Sequence, residues 1–291
     1  MAIGAVAAGA AEALGEAAVE VLAASVVAAP EAAAPAEAGR TEGLRNVMAA
    51  ENTIPDKQIS EFVTRLQQAA GANLVSVILY GSAVSGGYDP EFSNLNLLCV
   101  LQDTSLPQLL RLAPVVESWT KQGRHAPLLI ASGELERSAD VFAIEWMDMR
   151  EKHRVLFGPD LIAPLEIPMQ LHRVQLEYEL REKLILLRQR LLLAASDEKR
   201  AWDLMLRSLS AFTTLFRHAL IAQGQPVPAT KTESVKALAA SLGFDASAFE
   251  HLLDIREHRA DRKQFRVQEV AARYLAAVEQ VTGAVDRMLD R

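Results

Sequence analysis

"LYGSAVSGGYDPEFSNLNLLCV", residues 79–100, decides how the rest of the chain is read. An aliphatic run over residues 74–80 stops at Gly81-Ser82. A segment over 82–93 follows, and Gly86, Gly87 and Pro90 mark it as a loop. A second apolar run over 94–101 opens with Asn94-Leu95-Asn96-Leu97. Both runs have the length and content of buried strands. Side chains on a strand alternate between its faces, so 94 and 96 share one face while 95 and 97 share the other.

A strand, a Gly-Ser turn, a loop and a strand with polar residues at i and i+2 form a mechanically meaningful arrangement. Glycine lets the backbone approach a phosphate closely. A serine hydroxyl and nearby backbone N–H groups can donate to its oxygens. Two acids at 94 and 96 would converge on one point. With a third acid they would hold two Mg²⁺ ions for in-line phosphoryl transfer.

Residues 79–98 resemble the signature of the nucleotidyltransferase superfamily typified by DNA polymerase beta. Its pattern is a hydrophobic residue, Gly, Gly or Ser, a loop, then acid-hydrophobic-acid-hydrophobic. Here Tyr80-Gly81-Ser82 is followed by eleven residues and then Asn94-Leu95-Asn96-Leu97, with Ser93 where many members carry serine. A helix before the first strand, a helix after the second and the closing "VLFG" of residues 155–158 resemble small bacterial members. In several of these, aminoglycoside-modifying relatives included, a helical bundle follows. The resemblance covers residues 55–160 well and the bundle only loosely. It implies that Gly81 and Ser82 bind a nucleotide and that positions 94 and 96 are the metal positions.

The chain departs from that pattern where the metal would sit. Both acids are asparagine, which brings an amide oxygen but no formal charge. The resemblance implies a third acid on a later strand, and the candidate strand over 127–131 has none. Glu134, Glu145 and Asp148 follow it without a matching motif, and Asp89 and Glu91 lie in the loop at the wrong register. No catalytic residue and no metal ligand is therefore assigned. Mg²⁺ is expected only if the protein is active.

Periodicity places the remaining elements. Ile59, Phe62, Val63 and Leu66 predict a helix over 59–70, with Gly71 as its stop. A further helix is predicted over 106–121. Ser132 is read as the cap of a short helix through 142, and 144–149 is left ambiguous. Beyond Pro168 the strand signal disappears. Leu176, Leu180, Leu184, Leu187 and Leu191 form one helical stripe, and Trp202, Met205, Leu209, Phe212 and Phe216 form another. Three more helices are predicted over 232–242, 246–257 and 267–289. The leucine stripes are read as core, with a dimer seam as the other reading.

The net charge of −7 argues against a broad nucleic-acid surface. Residues 256–266, "REHRADRKQFR", are locally basic and are read as a solvated turn. The single cysteine, Cys99, lies in an apolar run; it allows no intramolecular disulfide and suits a cytoplasmic protein. The six histidines show no metal-ligand spacing and are read as surface or capping residues. Eighteen of the first 38 residues are alanine, interrupted by glutamates, and the first basic residue is Arg40. That pattern fits neither a secretory leader nor a membrane span. Residues 1–47 are expected to be a disordered or frayed-helix tail, with Met48 as a second candidate start.

The expected architecture is α+β. A nucleotidyltransferase-like domain with a small mixed β-sheet and helices spans 55–160, and an all-α helical bundle spans 168–291. The favoured function is that of an inactive nucleotidyltransferase-fold protein, a pseudoenzyme acting as a nucleotide- or partner-binding module. An active metal-dependent transferase acting on a small molecule or protein is the first alternative. A structural, dimerising protein with a vestigial cleft is the second. A nucleotide and a homodimer through the bundle are the candidate partners; membrane and nucleic acid are not expected.

Overall fold

The computed structural model describes residues 54–85, 88 and 91–289. The expectations for the 1–47 tail, for Met48, and for Gly86, Gly87, Asp89 and Pro90 concern residues outside that set. The chain divides into two units. One runs up to Arg137 and includes Asp148–Leu165; the other joins Ser138–Met147 to the residues from Glu166 onward.

The first unit is a four-stranded mixed sheet with helices. Helix α1 (Asp56–Ala70) leads through a short 3-10 turn into β1 (Leu74–Tyr80). A one-turn helix, α2 (Ser82–Ser85), follows, then β2 (Asn96–Leu101), α3 (Leu106–Thr120), β3 (Leu128–Ala131) and α4 (Ser132–Leu135). Helix α5 (Ala143–Glu151) precedes β4 (His153–Phe157). The strand order is β3-β2-β1-β4, with β1 antiparallel to both neighbours and β2 parallel to β3. Val77 and Leu79 on β1, with Leu97 and Cys99 on β2, pack in one apolar cluster with Ile59, Phe62 and Leu66 of α1 and Leu112 and Trp119 of α3. Phe62 and Trp119 stack at 4.3 Å. On the other face of these strands Ile78, Leu98 and Val100 are also fully buried, so the middle strands read as apolar runs rather than as alternation.

Gly158, which closes the "VLFG" run, has φ +75°, and a Cβ there would lie 2.0 Å from the Val75 carbonyl oxygen. Only glycine fits that approach. Beside it, the buried Ser76 hydroxyl lies within hydrogen-bond distance of the Phe157 and Pro159 carbonyls, at 3.0 and 2.9 Å. The register of β1 on β4 shifts between Val77 and Ile78, next to this contact.

The second unit is helical: α6 (His172–Leu193), α7 (Glu198–Ala222), α8 (Lys231–Leu242), α9 (Ser247–Arg256) and α10 (Val267–Leu289). Helix α7 packs against all four others. Asp197 caps α7 by accepting from the Arg200 N–H at 3.0 Å. Thr230 and Glu233 form a reciprocal capping box on α8, and Gly243 ends that helix in a left-handed conformation. Phe212, Phe216, Phe249 and Tyr274 form an aromatic centre with ring centroids 4.6–5.7 Å apart.

Four expectations change. The 82–93 segment is not all loop, because Ser82–Ser85 closes a helical turn on Gly81. The helix expected through 142 is broken into α4 and a 3-10 turn at Glu136–Ser138. The ambiguous 144–149 is helix α5, and its first half, with the turn before it, groups with the helical unit. The reason is visible in Gln175 of α6, which accepts from the Ile144 N–H at 3.1 Å and donates to Glu145 at 2.6 Å. Finally, His172 and His218 are neither surface nor capping residues. They are 1% and 0% exposed and hydrogen-bonded to each other at 2.9 Å. Forty-six residues separate them in sequence, and only the packing of α6 on α7 brings them together. The three tryptophans and Cys99 are buried.

Candidate functional site

The site is built at the point where β1 ends. Tyr80, the last residue of β1, pairs with Asn96, the first of β2. Gly81 then takes φ +80° and turns the chain into α2, where the Val84 and Ser85 N–H groups both return to the Gly81 carbonyl at 3.0 and 3.2 Å. A Cβ on Gly81 would stand 2.9 Å from Asn96 Nδ2. Glycine is needed there for both reasons: the left-handed φ and the amide packed against it.

The turn explains where β2 begins. A strand over 94–101 was expected, but past the Tyr80–Asn96 pair β1 offers no further backbone to bond, and the ladder starts at Asn96. Asn94 lies two residues earlier. Leu95 and Leu97 are buried in the cluster under α1 and α3, and Asn96 stands on the face opposite Leu97. Gly81, Ser82, Asn94 and Asn96 are all partly exposed. The structure thus brings Gly81 and Asn96 into direct contact, with Ser82 as the first residue of the turn.

His153 belongs beside them, although its isolated position in the sequence gave no sign of it. It is the first residue of β4 and pairs with Tyr80 from the other side. His153, Tyr80 and Asn96 therefore form one rung across three strands. Neighbouring strands lie about 4.8 Å apart, so the outer two residues of the rung are separated by roughly 10 Å of sheet. The ring is held at both nitrogens, Nδ1 at 2.8 Å from the Met149 carbonyl and Nε2 at 2.9 Å from Asp160 Oδ2. The other Asp160 oxygen accepts from the Ile162 and Ala163 N–H groups, each at 3.0 Å. Burial alone would raise the Asp160 carboxyl, but donation from Ala163, His153 and Ile162 outweighs it and holds the group below the usual carboxylate range.

Two of the acids considered as metal ligands are bonded elsewhere. Glu134 accepts from the Ala131 N–H at 3.0 Å and caps α4. Glu145 accepts from Gln175. Asp148 sits in α5, and Glu91 is exposed. Among the described residues, no three His, Cys, Asp or Glu side chains gather where they could hold a metal ion. The side chains at 94 and 96 are themselves neutral amides, whereas a two-Mg²⁺ centre calls for hard, charged oxygen ligands. What the rung can supply is the Asn96 amide next to a Gly-Ser turn, since the His153 ring is already held at both nitrogens. The basic 256–266 stretch is partly neutralised by acids within and beside it, with Arg259 on Asp254 at 2.7 Å and also on Glu257. No described helix is long and apolar enough to cross a membrane.

No family model matches the chain, and no curated protein matches it. Among solved structures it is similar to a spectinomycin adenyltransferase from Enterococcus faecialis, solved with ATP and spectinomycin. The TM-score is 0.49 and the identity 15%, with 78% of this chain and 98% of that chain covered. The site described here stands on this chain's own strand order and turn.

Proposed function

We propose that the chain is a nucleotidyltransferase-fold protein of the cytoplasm that binds a nucleotide or a partner without metal-dependent transfer. One observation carries this reading: the Asn96 amide packs against Gly81 where a transferase would aim a carboxylate at its metal. The mixed sheet and the Gly81-Ser82 turn support the fold. The neutral donor set at 94 and 96 supports inactivity, since it removes the charge that draws a divalent cation and its triphosphate into such a site. The Gly-Ser turn supports binding, because the first N–H groups of a helical turn and a serine hydroxyl can donate to phosphate oxygens.

The test is calorimetry with ATP, CTP, GTP and UTP, with and without Mg²⁺. Binding of at least one nucleotide with the same affinity in both conditions is expected, and Ser82→Ala should weaken it. Mg²⁺-dependent binding accompanied by nucleotide incorporation would establish an active transferase instead. Silence with all four would leave the fold as a scaffold.

A further inference from the structure

Helix α6 buries one face through Leu176, Leu180, Leu184 and Leu187. Its opposite face is not polar. Leu171, just before the helix, then Tyr178, Ile185 and Leu192 recur every seven residues, with Val174 between the first two. Their exposures are 42, 50, 54, 76 and 53% in the order Leu171, Tyr178, Ile185, Leu192, Val174. A seven-residue repeat drifts only about 20° per heptad on a helix, so these side chains form one stripe. At 1.5 Å per residue the stripe is about 30 Å long. With Met169 and Leu193 it holds seven of the eleven large hydrophobics exposed among the described residues. Scattered exposed leucines need no explanation, whereas a contiguous apolar stripe marks an interaction surface.

We propose that this stripe is the seam of a homodimer, in which α6 of one copy lies antiparallel to α6 of a second about a two-fold axis between Arg181 and Glu182. The order of residues along the stripe is self-complementary about that axis. Leu171 comes level with Leu192 of the second copy, Tyr178 with Ile185, Val174 with Gln189 and Arg181 with Glu182. A residue that meets its counterpart reciprocally is what a two-fold interface requires. Charge selects the direction. Parallel, in-register helices would set Arg181 against Arg181 and Arg188 against Arg188, and such like-charge pairs are destabilising. The antiparallel pairing sets Arg181 against Glu182, whose Oε2 lies 3.8 Å from Lys183, and it moves the two Arg188 side chains apart, each remaining on Glu279 of its own copy at 2.8 Å. Arg181 already holds Glu177 at 2.5 Å and Asp286 at 2.6 Å. Its guanidinium is half exposed and has five donors, so it can take a third carboxylate.

The experiment is sedimentation equilibrium on the full chain over a micromolar range, where a dimer is expected. Ile185→Lys should weaken dimerisation roughly tenfold or more while leaving the melting curve nearly unchanged, because the residue is on the surface. Arg181→Glu should weaken it too, and adding Glu182→Arg should restore it. Direction is read by oxidative cross-linking. A mixture of Leu171→Cys and Leu192→Cys variants should form the mixed disulfide, while either alone should not. The native Cys99 does not interfere, since it is fully buried and burial pushes its thiol up to about 12. A monomer at every concentration overturns the proposal. So does a dimer indifferent to Ile185→Lys, or cross-linking of Leu192→Cys with itself.

Discussion

The sheet unit and the helical unit solve the same packing problem with different chemistry. Of the eight buried polar or charged residues among those described, only Ser76 belongs to the sheet unit. The helical unit buries His172, His218, Glu179, Lys183, Thr213, Ser234 and Thr282. In a sheet the backbone ladder itself fixes which strand lies beside which, and at what register. Side chains are then free to be apolar, and even Ser76 spends its hydroxyl on two backbone carbonyls beside the β1–β4 register shift. A helix satisfies its backbone internally, so nothing in the main chain says which face meets which neighbour. A polar pair such as His172–His218 can fix the axial register of α6 on α7, because sliding would break the hydrogen bond between two buried imidazoles.

The comparison is broken most severely at the buried pair of α6. Glu179→Leu should cost about 3 kcal/mol in denaturant unfolding, because buried Lys183 would lose its closest partner and keep only Glu182, at 3.8 Å. Glu179→Leu combined with Lys183→Met should recover most of that loss. If the double variant is as unstable as the single, the pair contributes more than its own neutralisation. In the sheet unit the largest effect should come from the backbone. Gly158→Ala should cost about 3 kcal/mol, combining a left-handed φ with a Cβ set on the Val75 carbonyl.

The register argument is sharpened by the histidines. His172→Leu alone should cost about 1–2 kcal/mol by removing its hydrogen bond to the buried His218. The double change to leucine should restore stability yet broaden the methyl resonances of α6 and α7 in NMR spectra, if the pair selects one packing. Sharp spectra for the double variant would remove that role.

At the site the expected change is smaller. Asn94→Asp with Asn96→Asp should lower the melting temperature slightly without Mg²⁺, since two carboxylates would stand close together. Millimolar Mg²⁺ should then raise it by a few degrees by binding only the folded protein, while leaving the native sequence unmoved. Equal responses would show that these are not former metal positions. The smallest effect should come from Asp160. Its folded-state pKa is depressed, so its contribution is fully present above the unfolded carboxylate value and is lost as pH falls through the folded one. Asp160→Asn should therefore be less stable than native at neutral pH, with the gap closing below about pH 4. A gap constant from pH 7 to 3 would mean that the carboxylate charge is not involved.

Strand β1 was legible over 74–80 because its aliphatic run stops at a glycine, and helix α10 was legible over 267–289 because one apolar period runs along its length. The Gly81–Asn96 neighbourhood was legible as well, since a two-strand unit with a tight turn is local. The stretch from 132 to 151 was not. Its periodicity is too weak to choose a face, and Gln175, which holds its middle, lies some thirty residues downstream.

By itself the sequence determined the α+β class of the chain, its first two strands, its long helices and the neutral chemistry at positions 94 and 96. These follow from periodicity and residue type, which are properties of neighbours along the chain. Tertiary structure alone decided that His153 stands on the same rung as Asn96, that His172 meets His218, and that the other described residues leave the stripe from Leu171 to Leu192 exposed. Each of these depends on which surfaces meet after folding. A sequence pattern states that a face is apolar, but burial is decided by what the other elements bring to it.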